Sequence, residues 1–325
     1  MKIFITGNLG FIGSYLSEEL IMENHSLIGY DIQEHKGNVG YPSAQGDVRD
    51  VLRLQQSIPH DTELIIHLAA EHKDFGVSKD KYFDVNERGT QYLLECATKL
   101  NINKFIFYSS VAIYGNQKFT TEETSPEPGN PYGASKLAAE NLISKWARKN
   151  RSREVAIIRP TVVFGPNNFA NIYKLVSKVC DHRFIWVGDG NNVKSVAYVE
   201  NLVAANLFIM DKLKPGVSVF NYVDEPQMST KQIVNLITEI AGVTVPKVRI
   251  PISYALGITK FIELLAVISG QDFAITSSRI KKFTTTTYHY ADKIRDMGFR
   301  PKFTLKEGMR TYVQWYLEEG RFLKE

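Results

Sequence analysis

Tyr132 and Lys136 stand four residues apart in the segment Pro-Tyr-Gly-Ala-Ser-Lys at 131–136. On a helix this spacing puts the phenol and the ammonium on one face, one turn apart. A free phenol has a pKa of about 10 and is a poor base at neutral pH, but a nearby cation favours the phenolate. The pair therefore reads as an acid/base, Tyr132 exchanging a hydroxyl proton and Lys136 tuning it. Ser110 closes the apolar run that begins at Lys104, and its hydroxyl would hold a substrate oxygen beside Tyr132. Chance gives many such Tyr/Lys pairs, with an exposed amphipathic helix start as the default reading, so a second constellation is needed.

That constellation is Thr-Gly-Asn-Leu-Gly-Phe-Ile-Gly at 6–13, which places Gly7, Gly10 and Gly13 after a strand-like run and at the mouth of a helical pattern. Glycines there permit a tight turn, backbone contact with a pyrophosphate, and close helix–strand packing, while the helix N-terminus offers free N–H groups to the anion. Asp31 ends the next apolar run eighteen residues after Gly13. A carboxylate at that position accepts from an adenosine ribose, as in nicotinamide dinucleotide sites, and repels the extra phosphate of NADP. NAD is expected, with His35 and Lys36 as nearby residues that would soften the preference.

The elements that must position these groups alternate along the chain. Strands are predicted at Lys2–Thr6, Ser26–Asp31, Leu64–Ala70, Lys104–Ser110 and Val155–Arg159, and helices at Phe11–Glu23, Phe83–Leu100 and Pro131–Lys149. Such alternation predicts an α/β fold, a Rossmann-type doubly wound parallel sheet. Beyond Pro160 the rhythm loosens. Turns are read at Gly165–Asn168 and Gly188–Asn192, helices at Glu200–Met210, Ser229–Ala241, Ile252–Ile268 and Leu305–Leu323, and a strand at Ser218–Val223. The expected organisation is a cofactor domain over 1–165 and a smaller C-terminal α/β substrate lobe over 166–325, with chain exchange between them around 190–225 and a cleft between the lobes.

Composition narrows the partners. The 325 residues are 44% apolar and 23% charged, with a net charge of +4 and no basic block, which argues against nucleic acid. Cys96 and Cys180 sit in apolar surroundings and read as buried thiols, not as a disulfide, metal or redox pair. No metal is expected. The segment Tyr254–Ile268 is interrupted by Lys260 and Glu263 and is too short and charged to span a bilayer. A cytoplasmic compartment is expected.

The chain resembles the extended short-chain dehydrogenase/reductase superfamily in its NAD-dependent epimerase/dehydratase branch. The resemblance rests on TGNLGFIGS at 6–14, GDV at 46–48, HLAA at 67–70, NERGT at 86–90, YSSVAIYG at 108–115 and PYGASK at 131–136. It continues through RPTVVFGP at 159–166, KSVAYVENLV at 194–203 and GFRPKFTLKEGM at 298–309. It implies Ser110, Tyr132 and Lys136 as catalytic residues. It also implies a cofactor site lined by Gly7, Gly10, Phe11, Ile12, Gly13, Asp31, Ile32, Asp47, Val48, Leu68, Ala69, Ala70, Asn86, Tyr132, Lys136 and Thr161. For Asn86 and Leu68–Ala70, capping and core packing are the competing reading.

Departures from the pattern shape the expected activity. Relatives that dehydrate nucleotide sugars carry Asp-Glu after the catalytic Ser/Thr, where this chain has Val111 and Ala112. Neither exchanges a proton, so a dehydratase is not expected. Val162 replaces an Asn common in UDP-galactose 4-epimerases and brings the chain nearer to sugar 4-ketoreductases and hydroxysteroid-dehydrogenase-like relatives. Lys194 and Arg279 match positions of phosphate-binding cations and favour a diphosphate substrate, with solvated surface charge as the alternative. The leading expectation is an NAD-dependent oxidoreductase or epimerase acting on carbon 4 of a nucleotide-linked sugar. The alternatives are a 3-beta-hydroxysteroid-dehydrogenase-like enzyme acting on a lipophilic alcohol and a non-catalytic NAD-binding sensor. A homodimer is expected, with Phe83, Tyr92 and Leu93 on its apolar face.

Overall fold

The computed structural model describes residues 1–34, 40–73, 76–259, 277 and 284–323. The chain divides into two compact units. The first comprises Met1–Val163, Val199–Val223 and His289–Lys302, and the second Phe164–Tyr198, Asp224–Tyr288 and Phe303–Glu325.

The first unit is built on a seven-stranded sheet. Its strands are β1 (Lys2–Thr6), β2 (Ser26–Asp31), β3 (Ser43–Gln45), β4 (Leu64–His67), β5 (Lys104–Tyr108), β6 (Glu154–Pro160) and a last strand, Gly216–Tyr222. The order runs from that last strand through β6, β5, β4, β1 and β2 to β3, and every pairing is parallel. Parallel strands covered on both faces need continuous apolar sequence, and Ile3–Ile5, Leu64–Ile66 and Phe105–Phe107 are almost wholly buried. The expected doubly wound α/β sheet is present. The chain reverses direction across the sheet between β1 and β4, the switch point at which open α/β sheets bind ligands.

Helix α1 (Phe11–Met22) follows β1, α2 (Val51–Ser57) follows β3, and a helical stretch runs from α3 (Lys79–Phe83) through a π turn at Asp84–Arg88 into α4 (Gly89–Lys99). Helix α5 (Pro131–Arg148) has Pro131 in its first turn and Asn130 as N-cap, whose Oδ1 accepts from Gly133 N at 2.8 Å. Helix Val199–Asp211 belongs to the same unit.

Several boundaries differ from the sequence reading. The strands predicted to reach Ala70 and Ser110 stop at His67 and Tyr108, because both segments turn off the sheet at its carboxyl edge. Helix α2, the short strand β3 and helix Asn171–Cys180 were not anticipated. Leu93, expected on an outward apolar face, is fully buried against the sheet, and Tyr92 is partly buried on the same core. The helix expected over 252–268 is seen over 252–259, and its remainder lies outside the described residues.

In the second unit, helices Asn171–Cys180, Thr230–Ala241 and Leu305–Trp315 accompany two-residue strand pairs, Val193–Lys194 with Met228–Ser229 and Trp186–Val187 with Arg249–Ile250. Leu305–Trp315 passes into a π turn at Tyr316–Gly320, short of the predicted Leu323. Both cysteines are free and buried. Among the described residues, no helix is long and apolar enough to cross a membrane.

Candidate active site

The glycine turn sits at the switch point. Gly7 has φ +75°, and a Cβ there would lie 2.6 Å from Ala69 N, so β1 and the loop after β4 approach as backbones only. Gly10 N–H bonds Gly7 O at 3.1 Å, and Gly10 caps α1 without any side-chain bond to its first-turn N–H groups. Phe11, Ile12 and Gly13 form that first turn.

Asp31, at the tip of β2, is buried and organises this turn directly: its Oδ2 accepts from Leu9 N at 3.0 Å and its Oδ1 from Gln33 N at 2.9 Å. Ile32 beside it is largely exposed. Asn8 Oδ1 has no hydrogen-bond partner although buried, an orphaned acceptor inside the turn. A cradle of bare backbone, free helix N–H groups and a carboxylate at the adjacent strand tip suits an adenine dinucleotide. His35 and Lys36 lie outside the described residues.

Other residues predicted to line this site are committed to protein contacts. Asp47 binds Arg49 through both carboxylate oxygens, at 3.0 and 2.6 Å, and this hydrogen bonding lowers its pKa. Val48 is buried beneath Gly89. Leu68 N bonds Thr6 O, Ala69 N bonds Thr6 Oγ1, and Ala70 is half-buried after them. Asn86, inside the π turn, uses its whole amide: Oδ1 accepts from Glu71 N at 2.8 Å, and Nδ2 donates to Glu71 O at 3.0 Å and Ser135 Oγ at 2.9 Å. It ties the loop after β4 to α5. Thr161, just past β6, carries a buried hydroxyl with no partner.

The chemical groups gather at the carboxyl ends of β5 and β6. Ser110 is the N-cap of a short 3-10 helix, Val111–Tyr114, and its Oγ accepts from Ala112 N at 3.1 Å, which leaves the O–H as a donor. Tyr132 lies in the first turn of α5, half-buried, its ring 6.2 Å from that of Tyr82. A Cβ on Gly133 would stand 2.4 Å from Ala112 O, so the start of α5 is pressed against the Ser110 turn. Lys136 is 2% exposed, donates to Tyr108 O at 2.7 Å and lies 4.8 Å above the Phe107 ring. Burial pulls its pKa down to about 7, opposed by the charge of Glu140.

One buried network behind these residues escaped the sequence reading. Arg159, near the end of β6, grips both carboxylate oxygens of Glu140 at 3.0 and 2.6 Å, and its third nitrogen donates to Tyr114 Oη at 2.7 Å. Tyr114 Oη in turn donates to Asn221 Oδ1 at 2.8 Å. The legible signal was a glutamate on the inward face of α5, four residues beyond Lys136. Lys194 is placed in the second unit, where its ammonium donates to Thr285 O at 2.6 Å. Arg279 lies outside the described residues.

The family model for the NAD dependent epimerase/dehydratase family matches residues 3–222, a span containing the glycine turn, Ser110, Tyr132, Lys136 and Arg159. The chain belongs to that family. It is an enzyme of the extended short-chain dehydrogenase/reductase type. Among family relatives, the N-acetyl-alpha-D-glucosaminyl-diphospho-ditrans,octacis-undecaprenol 4-epimerase of Escherichia coli O157:H7 is 35% identical over 97% of this chain and 95% of its own. The dTDP-D-glucose 4,6-dehydratase of Homo sapiens is 25% identical over 98% of this chain and 90% of its own. A solved structure of MoeE5 in complex with UDP-glucose and NAD shares the fold, with TM-score 0.78 and 23% identity over 98% of this chain and 99% of that one.

Proposed function

We propose that this family member is an NAD-dependent 4-epimerase of a sugar carried on a diphosphate. The observation that carries the reading is the 35% identity to an epimerase of that type along nearly the whole of both chains, joined to the approach of the Ser110 turn and the Tyr132 helix at Gly133. In this reading the Ser110 hydroxyl holds the oxygen on carbon 4, and the Tyr132 phenolate takes its proton. The Lys136 ammonium stabilises the phenolate through space and would be a ligand of the cofactor ribose when the cofactor is bound. When bound, NAD supplies the hydride acceptor for the first half of the cycle and the donor for the second. Tyr132 then returns the proton to the inverted alcohol.

Asp31 supports NAD over NADP, because a buried carboxylate at the tip of β2 repels a ribose phosphate. Leu9 N–H already binds it, so the turn presents the charge in a fixed place. Gly7, Gly10, Gly13, Phe11, Ile12 and the unpartnered Thr161 hydroxyl would complete the cofactor's surroundings. Elimination of water is not part of the reading: Val111 and Ala112 follow Ser110 and carry no group that moves a proton.

The carrier has two candidates. A nucleotide is the first, with Lys194 as a diphosphate ligand. A polyprenol is favoured by the substrate in the relative's name and by exposed apolar side chains of the second unit: Ile185, Val248, Tyr254 and Ile258 are each more than half exposed. The test is purified protein with NAD, UDP-N-acetylglucosamine in one arm and a polyprenyl-diphosphate N-acetylglucosamine in detergent in the other. Formation of the 4-epimer in either arm is expected, and the productive arm identifies the carrier. Bound NAD with no product in both arms would overturn the reading.

A further inference from the structure

We infer that Glu140, clamped by Arg159, is a positioning residue for Lys136: a fixed anion one helical turn from the reactive ammonium. The inference deepens the function proposed above and takes the role of Lys136 from it.

Lys136, Glu140 and Arg159 are 2%, 4% and 6% exposed. Residues i and i+4 of a helix have Cβ atoms about 5–6 Å apart, so the carboxylate and the ammonium share the inward face of α5. A free glutamate there would swing onto the lysine and take it as an ion-pair partner. It does not, because Arg159 binds both of its oxygens in a fork. Arg159 is itself held by Tyr114 Oη at the end of the Ser110 turn and by Glu122 O at 3.4 Å. Lys136 Nζ is thereby left to bond Tyr108 O and to lie over Phe107.

The charges and titratable groups around Lys136 are few. Glu140 faces it from its own helix, Arg159 stands behind Glu140 on β6, and Tyr114 and Glu122 touch Arg159. From β4, His67 is buried and held neutral by its surroundings, the Lys136 charge included. Tyr132 is one turn away on α5. Glu140 is thus the one anion acting on Lys136 in this set, and it offsets part of the desolvation that pulls the ammonium toward deprotonation. Removing it would strip that support and leave the Arg159 cation facing Lys136.

The test reads Lys136 directly. The lysine Cε–Hε signals of the whole protein are titrated by NMR without substrate, and the Lys136 signal is assigned by its loss in Lys136→Met. Glu140→Gln should lower the Lys136 midpoint by about one unit or more, and Glu140→Asp should restore most of it. The alkaline limb of the pH–rate profile should move the same way. A folded Glu140→Gln protein with an unmoved midpoint overturns the inference. Should Glu140→Gln fail to fold, the pair Glu140→Met with Arg159→Leu removes both buried charges, an exchange such sites often tolerate. The midpoint should again fall, and an unmoved one overturns the inference. Failure of both to fold assigns the ion pair to structure alone and overturns it as well. Because the NMR readout needs no substrate, a wrong choice of sugar leaves it intact.

Discussion

A Cβ on Gly133 would fall 2.4 Å from the carbonyl oxygen of Ala112. Glycine at this position lets α5 press its first turn against the turn that holds Ser110, and so sets how closely the serine and tyrosine hydroxyls approach. Gly133→Ala should push these turns apart. Alanine gains helix propensity, yet the backbone clash costs about 1–3 kcal/mol, so the melting temperature should fall modestly. Turnover should fall about tenfold or more, while NAD binding measured by fluorescence stays near wild type. Wild-type turnover would refute the positioning role of this contact.

Tyr132→Phe removes the hydroxyl proposed as acid/base and keeps the ring contact with Tyr82. Steady-state turnover should drop by about 10²–10⁴ with the cofactor still retained. Full activity would sink the proposed chemistry.

Asp31→Asn keeps an oxygen that can accept from Leu9 N–H and removes the charge. Calorimetric titration should show the ratio of NADP to NAD affinity rising by about tenfold, the equivalent of about 1.4 kcal/mol. An unchanged ratio would mean that Asp31 serves only the turn.

His67 bridges three elements: Nδ1 lies 2.7 Å from Thr6 Oγ1 on β1, and Nε2 lies 3.1 Å from Thr90 Oγ1 on α4. Burial, with the Lys136 charge adding to it, lowers its pKa to about 3. The unfolded chain binds a proton near pH 6.5 that the folded chain refuses, so stability from this site is complete above that pH and drains as pH falls toward 3. Between pH 7 and pH 5 the loss should be about 2 kcal/mol. Urea denaturation at the two pH values, wild type against His67→Gln, isolates it. Equal pH dependence in the two proteins would contradict the assignment.

The sheet, and the approach of the Ser110 turn to the start of α5 that the proposed function uses, rest on local signals legible in the sequence. Continuous apolar runs mark β1, β4 and β5, the glycine turn fits within one strand-to-helix junction, and the Tyr132–Lys136 spacing lies within the first turns of α5. Helix α2 buries only Leu54, so its sequence has little periodicity to display. Helix Asn171–Cys180 does carry a helical period, with Ile172, Val176 and Val179 inward, but it follows the turn-rich Gly165–Asn168 segment and has no side-chain N-cap to mark its start. Asp47 is expected to line the cofactor site by resemblance; Arg49, two residues on, holds both its oxygens and is itself fixed by Asp84 from a distant element. The Arg159–Glu140 pair joins residues nineteen positions apart, from different elements. Each alone looks like an ordinary charge until β6 and α5 pack.

The cofactor unit closes on segments supplied late in the chain: Gly216–Tyr222 pairs with β6, and His289–Lys302 belongs to the same unit. During synthesis, then, an emerging chain of some 200 residues would hold β6 as a raw edge, its backbone donors and acceptors open to another nascent strand. Fragments cut after Val163, the natural choice for an isolated cofactor domain, would inherit the same defect. The order of manufacture thus leaves completion of the first unit until nearly all of the chain has been made.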